Sequence, residues 1–236
     1  MYHDILLFDA DDTLFDFGKC EEIAFEKALG KVGVDLIPGM TGDYSAINLE
    51  CWKRLERGEL SREDLKRLRF AVFLEKYGID RDPAVLARAY EEELSRTAVL
   101  FPGAEDLIRR LSEKARVYVI TNGLTAVQRG RFSRSPITKY LSGVFISEEI
   151  GYNKPDRRYF DAVIRGIPGF DRDRAIVIGD SLTSDVKGAN NAGLRVLWYD
   201  PKGKGVLDED VYFEARVGSY GEIEEYLERC TRENGR

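Results

Sequence analysis

Four short apolar runs, dense in branched side chains and each followed by polar residues, limit what this chain can fold into more than any other feature. They are Ile5–Phe8, Val117–Ile120, Ala175–Ile178 and Val196–Tyr199, with Gly143–Ile146 a fifth candidate. Runs without polar alternation predict strands buried on both faces, as in a parallel sheet covered by helices. Helical stretches lie between them. Ala104–Lys114 puts Leu107, Ile108 and Leu111 on one face behind the breaker pair Pro102-Gly103. Tyr159–Ile164 and Asp185–Ala192 are two more, and Gly221–Arg232 predicts a last amphipathic helix on the outer face of the sheet. Alternating strands and helices predict an α/β fold with a doubly wound, mainly parallel sheet.

The interval from 17 to 96 breaks this alternation. Glu21–Leu29, Tyr44–Arg57, Arg62–Lys76 and Pro83–Arg96 all carry helical periodicity with charged outer faces. "GELSRED" (Gly58–Asp64) supplies a glycine break, Ser61 as an N-cap and Asp64 at the third helical position. The expected organisation is an α/β core from 1–16 and 97–236 with an all-helical module, 17–96, inserted after the first strand. Pro201–Gly205 ("PKGKG") reads as a surface loop.

The residue totals exclude several chemistries. With 36 basic and 42 acidic residues the net charge is −6, which argues against nucleic acid as a partner. The 3 cysteines, Cys20, Cys51 and Cys230, form no CxxC pair, so a reducing compartment is expected and a zinc site or disulfide framework is not. No run is long enough to span a membrane, and the first residues lack the pattern of a signal peptide, so a cytoplasmic protein is expected. With 1 histidine, His3, a Ser-His-Asp triad or multi-histidine metal site is difficult to build. Carboxylates, lysine, hydroxyls and backbone must carry the chemistry.

Ligands of open α/β sheets bind at the carboxyl ends of the strands. Asp9, Asp11, Asp12 and Thr13 follow the first strand. Thr121, Asn122 and Gly123 follow the second. Lys154 precedes the Tyr159 helix, and Asp180 follows the Ala175–Ile178 strand with Asp185 five residues on. Mg²⁺ takes hard oxygen ligands and one or two carboxylates, which Asp9 and Asp180 can supply, with Asp185 holding a water behind them. A carboxylate beside the metal can attack phosphorus, and a second one two residues on can act as general acid and base. Thr121 offers a hydroxyl, Asn122 and Gly123 offer backbone N–H groups, and Lys154 offers a positive charge to phosphoryl oxygens. Each feature also has a plainer reading. Carboxylates after a strand form turns and helix caps, TNG alone is a loop, and a lysine before proline is an ordinary surface residue.

Taken in order, "FDADDTL", "ITNG", "NKPD" and "GDSLTSD" resemble the four signature motifs of the haloacid-dehalogenase-like phosphatase superfamily. The resemblance spans the chain, including a helical cap between the first two motifs, and implies a Rossmann-like core. It implies that Asp9 is the nucleophile and a Mg²⁺ ligand, and that Asp11 is the general acid/base with its backbone carbonyl on the metal. Thr121 and Lys154 would bind the phosphoryl group, and Asp180 would complete the metal site with Asp185 behind it. "ISEEIGYNKPD", "GDSLTSDVKGANNAGL" and "WYDP" are similar to bacterial pyrimidine 5′-nucleotidases, which hydrolyse nucleoside monophosphates such as dUMP and dTMP. A small phosphate monoester, a monomer or weak homodimer, and no membrane or nucleic-acid partner are therefore expected.

In the cap, Tyr44, Asn48 and Trp52 fall where a base-contacting surface would lie, although their helical spacing equally fits packing. A sugar-phosphate phosphatase or phosphomutase uses the same motifs; a dehalogenase lacks the second catalytic aspartate; a scaffold would not need the intact set. Two features depart from the pattern. Asp12 stands where many relatives have glycine and is expected to point into solvent. Ser135-Pro136 interrupts the helix expected after "ITNG".

Overall fold

A computed structural model describes residues 1–203 and 211–234, so part of the PKGKG loop lies outside the described residues. Along the chain, β1 (Ile5–Phe8) leads into α1 (Phe17–Lys31), α2 (Met40–Glu56), α3 (Arg62–Lys76) and α4 (Pro83–Arg96). Alternation then resumes with α5 (Ala104–Ser112), β2 (Arg116–Thr121), α6 (Thr125–Arg134), β3 (Gly143–Ile146), α7 (Ser147–Ile150) and α8 (Arg157–Gly166). β4 (Ala175–Gly179), α9 (Lys187–Ala192), β5 (Arg195–Tyr199), β6 (Ala215–Val217) and α10 (Tyr220–Asn234) complete it. The chain forms two compact units. One comprises Met1–Asp16, Leu100–Thr125 and Ser135–Arg236; the other comprises Phe17–Val99 and Ala126–Arg134.

The α/β unit is built on a sheet in the order β3-β2-β1-β4-β5-β6, every neighbouring pair parallel. Leu7 pairs with Tyr118 on one side and Val177 on the other. All of β1 and β4 is buried, as unbroken apolar runs require. Ile5, Leu7, Val177 and Trp198 share one core with Tyr159, Phe160 and Val163 of α8 and Ala189 of α9. By strand alternation Leu6 and Phe8 point to the opposite face; α5 packs on β2, and α10 on α5 and β6. Full burial of each large apolar side chain contributes about 1.5–3 kcal/mol. β6 was not expected. Its three residues, Ala-Arg-Val, are too few to show a period. Among the described residues no helix is long and apolar enough to cross a membrane.

The helical unit has its own interior. α1 packs on α4 and α2, and α3 on α2 and α4. The Phe25 ring stacks on Tyr44 at 4.0 Å and meets Phe73 edge-on at 4.9 Å. Ser61 caps α3 by accepting the Asp64 N–H at 3.1 Å, as the sequence predicts, and Asp82 with Pro83 opens α4.

The helix after "ITNG" joins this unit rather than the sheet's own layers. Gly130 makes that possible, because a Cβ there would come within 2.7 Å of the Ser95 backbone oxygen. Arg131, fully buried, donates from Nε to the Thr97 carbonyl at 3.2 Å and from Nη2 to Cys20 Sγ at 3.5 Å. Ser135-Pro136 ends α6 and starts a 3₁₀ turn over Pro136–Tyr140, since proline lacks the N–H to continue the ladder and disfavours helical backbone before it.

Candidate active site

The chain winds outward from β1 in both directions, so the carboxyl ends of β1 and β4 flank the point where strand order reverses, the usual place for a ligand crevice. Asp9 leaves the end of β1 with its N–H donating to Ile178 O at 2.8 Å. The chain then turns tightly. Leu14 and Phe15 N–H both donate to Ala10 O, at 2.9 and 2.8 Å, and Asp12 N–H donates to Phe15 O at 2.9 Å. The turn puts Asp12 at φ 62°, in the left-handed region where glycine or a short polar residue is tolerated. That accounts for an aspartate at a glycine position. Asp12 is half-buried and helps line a cavity of about 330 Å³ with Phe101, Asp180, Tyr199 and Tyr220, rather than pointing into open solvent. Asp11, half-buried, bridges to Phe15 through its backbone.

Lys154 is the centre of the site. Its backbone is clamped by the Asn122 amide: Asn122 Nδ2 donates to Lys154 O at 2.9 Å, and Lys154 N–H donates to Asn122 Oδ1 at 2.8 Å. Its ammonium, 1% exposed, donates to Asp9 Oδ1 at 2.5 Å, Asp185 Oδ1 at 2.6 Å and Ile120 O at 3.1 Å. Three acceptors match its three protons. Burial works against the charge, but Asp185 and then Asp9 outweigh it and raise the lysine pKa, keeping it protonated. Tyr159, its hydroxyl donating to Phe145 O at 2.9 Å, is buried beside it with its own pKa raised by burial.

Asp185 stands on a tight turn, Leu182–Val186, capped by Ser181, whose Oγ accepts the Ser184 N–H at 3.2 Å. Its Oδ2 accepts the Ser181 N–H at 3.1 Å, so both of its oxygens already take hydrogen bonds. Gly179 leaves it room: a Cβ there would sit 2.4 Å from Asp185 Oδ2. The Asp180 carbonyl is fixed by Trp198 Nε1 at 3.0 Å.

Carboxylate oxygens of Asp9, Asp180 and Asp185 lie within 4.8 Å of one another. Burial, followed by repulsion from Asp185 and Asp180, raises the Asp9 pKa against the opposing pull of Lys154. Three carboxylates thus share one cluster, and the two buried ones, Asp9 and Asp185, bond the same ammonium. This excess of hard anionic oxygen fits a small divalent cation.

Thr121, 1% exposed at the end of β2, accepts the Gly123 N–H at 3.1 Å on its hydroxyl oxygen. The N–H expected from Gly123 for a phosphate is therefore engaged within its own turn. The clamping amide of Asn122, the room left by Gly179 and the Ser181 cap were not read from the sequence. Of these, the small residue ahead of Asp180 was the visible signal.

Asn48 and Trp52 belong to the helical unit. Asn48 is 1% exposed and already engaged, donating to Glu21 Oε1 at 2.6 Å and accepting from Arg69 Nη1 at 2.9 Å. Trp52 packs, half-buried, against the Cys51, Leu55 and Leu65 cluster. All three cysteines are buried free thiols.

Known proteins resemble this chain in sequence and fold. The family described as haloacid dehalogenase-like hydrolase matches residues 3–193. The chain is 37% identical over 202 residues to the pyrimidine 5′-nucleotidase PynA of Streptococcus pneumoniae, covering 85% of each protein. It is 30% identical over 198 residues to the pyrimidine 5′-nucleotidase YjjG of Escherichia coli, covering 84% of this chain and 86% of that one. The structure is similar to that of the HAD-hydrolase YfnB of Bacillus subtilis bound to magnesium, with a TM-score of 0.90, 32% identity, and coverage of 95% and 98% of the two chains.

Proposed function

The chain belongs to the haloacid dehalogenase-like hydrolase family, and on that premise we propose that it is a Mg²⁺-dependent phosphomonoesterase acting on pyrimidine nucleoside monophosphates. The observation that carries the reading is the convergence of the Asp9, Asp180 and Asp185 carboxylates, two of them, Asp9 and Asp185, bonded to the buried ammonium of Lys154. The nucleotidase names of PynA and YjjG support the substrate.

In this mechanism an Asp9 carboxylate oxygen attacks phosphorus, and the bond from phosphorus to the ester oxygen breaks. Asp11 gives its proton to the departing alkoxide, then takes one from the water that attacks the aspartyl-phosphate. Cleavage returns the Asp9 carboxylate and releases inorganic phosphate. Lys154 holds Asp9 in place and compensates the negative charge of the transferring group. The Thr121 hydroxyl donates to a phosphoryl oxygen. Asp9, Asp180 and the Asp11 backbone carbonyl would hold Mg²⁺. Asp185, with both oxygens occupied, suits a place behind them. When bound, the cation neutralises the carboxylates and the phosphoryl oxygens so that anion can approach anion.

The test is hydrolysis of p-nitrophenyl phosphate and a nucleoside monophosphate panel with Mg²⁺, with and without chelator, by wild type and Asp9→Asn. We expect chelator-sensitive turnover, and a loss on the order of 10³-fold or more in the variant. A variant that turns over like wild type refutes the mechanism.

A further inference from the structure

The backbone around Asp180 is tied on both sides. Asp180 lies one residue past β4, beyond the last pairing of the ladder, Gly179 with Trp198. Two residues before it, Ile178 O accepts the Asp9 N–H at 2.8 Å. The peptide group that follows it is engaged at both ends. Its carbonyl accepts from Trp198 Nε1 at 3.0 Å, and its N–H, that of Ser181, donates to Asp185 Oδ2 at 3.1 Å. That peptide plane is fixed between an indole and a carboxylate, which leaves the Asp180 side chain little but its own torsions to adjust.

Trp198 is itself braced. It is 1% exposed and shares the sheet core with Ile5, Leu7 and Val177, and the Phe213 ring tilts against it at 5.5 Å. Arg216 of β6 is its register partner, with the guanidinium over the indole ring at 4.7 Å. Asp200, whose side chain is wholly buried just past β5, pairs with that guanidinium. Packing alone would be served by phenylalanine. The indole adds one donor, which needs an acceptor, and the acceptor it has is the Asp180 carbonyl.

We infer that Trp198, held by Arg216 and Asp200, is a positioning residue that aims the Asp180 carboxylate at the divalent cation. The inference rests on the metal-dependent reading above. Mg²⁺ demands near-ideal ligand geometry, so a carboxylate free to swing binds it less well even with its chemistry intact. Groups that orient a ligand without touching the metal change affinity by about 10–100-fold. The short strand β6 then has a task beyond closing the sheet edge, because it carries the arginine that lies over the indole.

The experiment measures Mg²⁺ binding by calorimetry and Mg²⁺-dependent turnover of p-nitrophenyl phosphate in wild type, Trp198→Phe, Arg216→Gln and Arg216→Lys, with thermal melting of each. Trp198→Phe keeps a ring and removes the donor. We expect it to raise the Mg²⁺ Kd, and the Mg²⁺ concentration for half-maximal turnover, about tenfold. At saturating Mg²⁺ its kcat and KM should stay within about twofold of wild type. Arg216→Gln should raise the same Kd about threefold, and Arg216→Lys, which keeps a cation by the ring, should raise it less. An unchanged Mg²⁺ Kd in Trp198→Phe overturns the inference. A lower kcat at saturating Mg²⁺ with a lower melting temperature and an unmoved Kd also overturns it, and makes Trp198 a packing residue. Should Trp198→Phe fail to fold, a wild-type Kd in Arg216→Gln overturns it instead. Wild-type protein that hydrolyses p-nitrophenyl phosphate equally well without Mg²⁺ refutes the metal-dependent reading, and the inference with it. Metal-dependent wild type beside an unaltered Trp198→Phe refutes the inference alone.

Discussion

His3, the single histidine, sits fully buried two residues before β1, at the strand end away from Asp9. Burial, and then the Arg195 guanidinium, lowers its pKa from 6.5 to about 4. The folded ring therefore stays neutral at pH values where the unfolded one takes up a proton. Stability from this group is complete above about pH 6.5 and is lost as pH falls toward 4, by no more than about 3 kcal/mol and less where water reaches the ring. His3→Leu should flatten that part of the pH profile in denaturant titrations between pH 7 and 4; an unaltered slope would assign the acid sensitivity to other groups. Asp12 is the other informative position. At φ 62° it sits where glycine is unstrained, so Asp12→Gly should keep activity and shift stability by no more than about 1 kcal/mol, checked by melting and turnover together. The sequence marked both residues as unusual but could not show why. Burial of a histidine and the sign of a dihedral angle depend on what packs around them.

At the level of elements, the strands were plain in the sequence because two-sided burial leaves an unbroken apolar run. The acidic residues after them were plain because strand ends in such a sheet open onto a crevice. What holds the carboxylates in position was hidden, since it depends on close approach. Gly179 ends β4 where any Cβ would meet the Asp185 carboxylate at 2.4 Å. Gly179→Ala should therefore displace Asp185 and cut its bond to Lys154. We expect Mg²⁺-supported turnover to fall at least tenfold, with raised metal requirement, while the melting temperature drops by several degrees. Wild-type metal dependence in that variant would show that the turn can shift without harm. The helix after "ITNG" carries the same lesson. Its existence was foreseen and its end at Ser135-Pro136 is explained by proline. Its company was not, because the signal is a glycine, Gly130, whose missing side chain admits Ser95.

The whole molecule divides where the apolar-run pattern stops and starts, yet the division is not two simple segments. The helical unit takes Phe17–Val99 and also Ala126–Arg134, so the chain passes between units at four places. A fragment of 17–99 alone lacks Arg131, whose guanidinium serves the Thr97 carbonyl and the Cys20 sulfur. It should melt about 4–8 °C or more below the same fragment carrying 126–134 on a flexible tether, by circular dichroism, if those contacts contribute about 1 kcal/mol. Equal melting would make the second segment a passenger.

That divided ownership bears on how such a protein can be rearranged. An insertion delivers its helices in one piece, but here the host repeat has ceded one of its own crossovers to the newcomer. Exchange of the helical module between relatives is therefore a four-cut operation. A chimera spliced only at 16/17 and 99/100 pairs a foreign bundle with a native crossover whose glycine and arginine were fitted to another neighbour, and any change in substrate preference it displays will carry the mark of that mismatch.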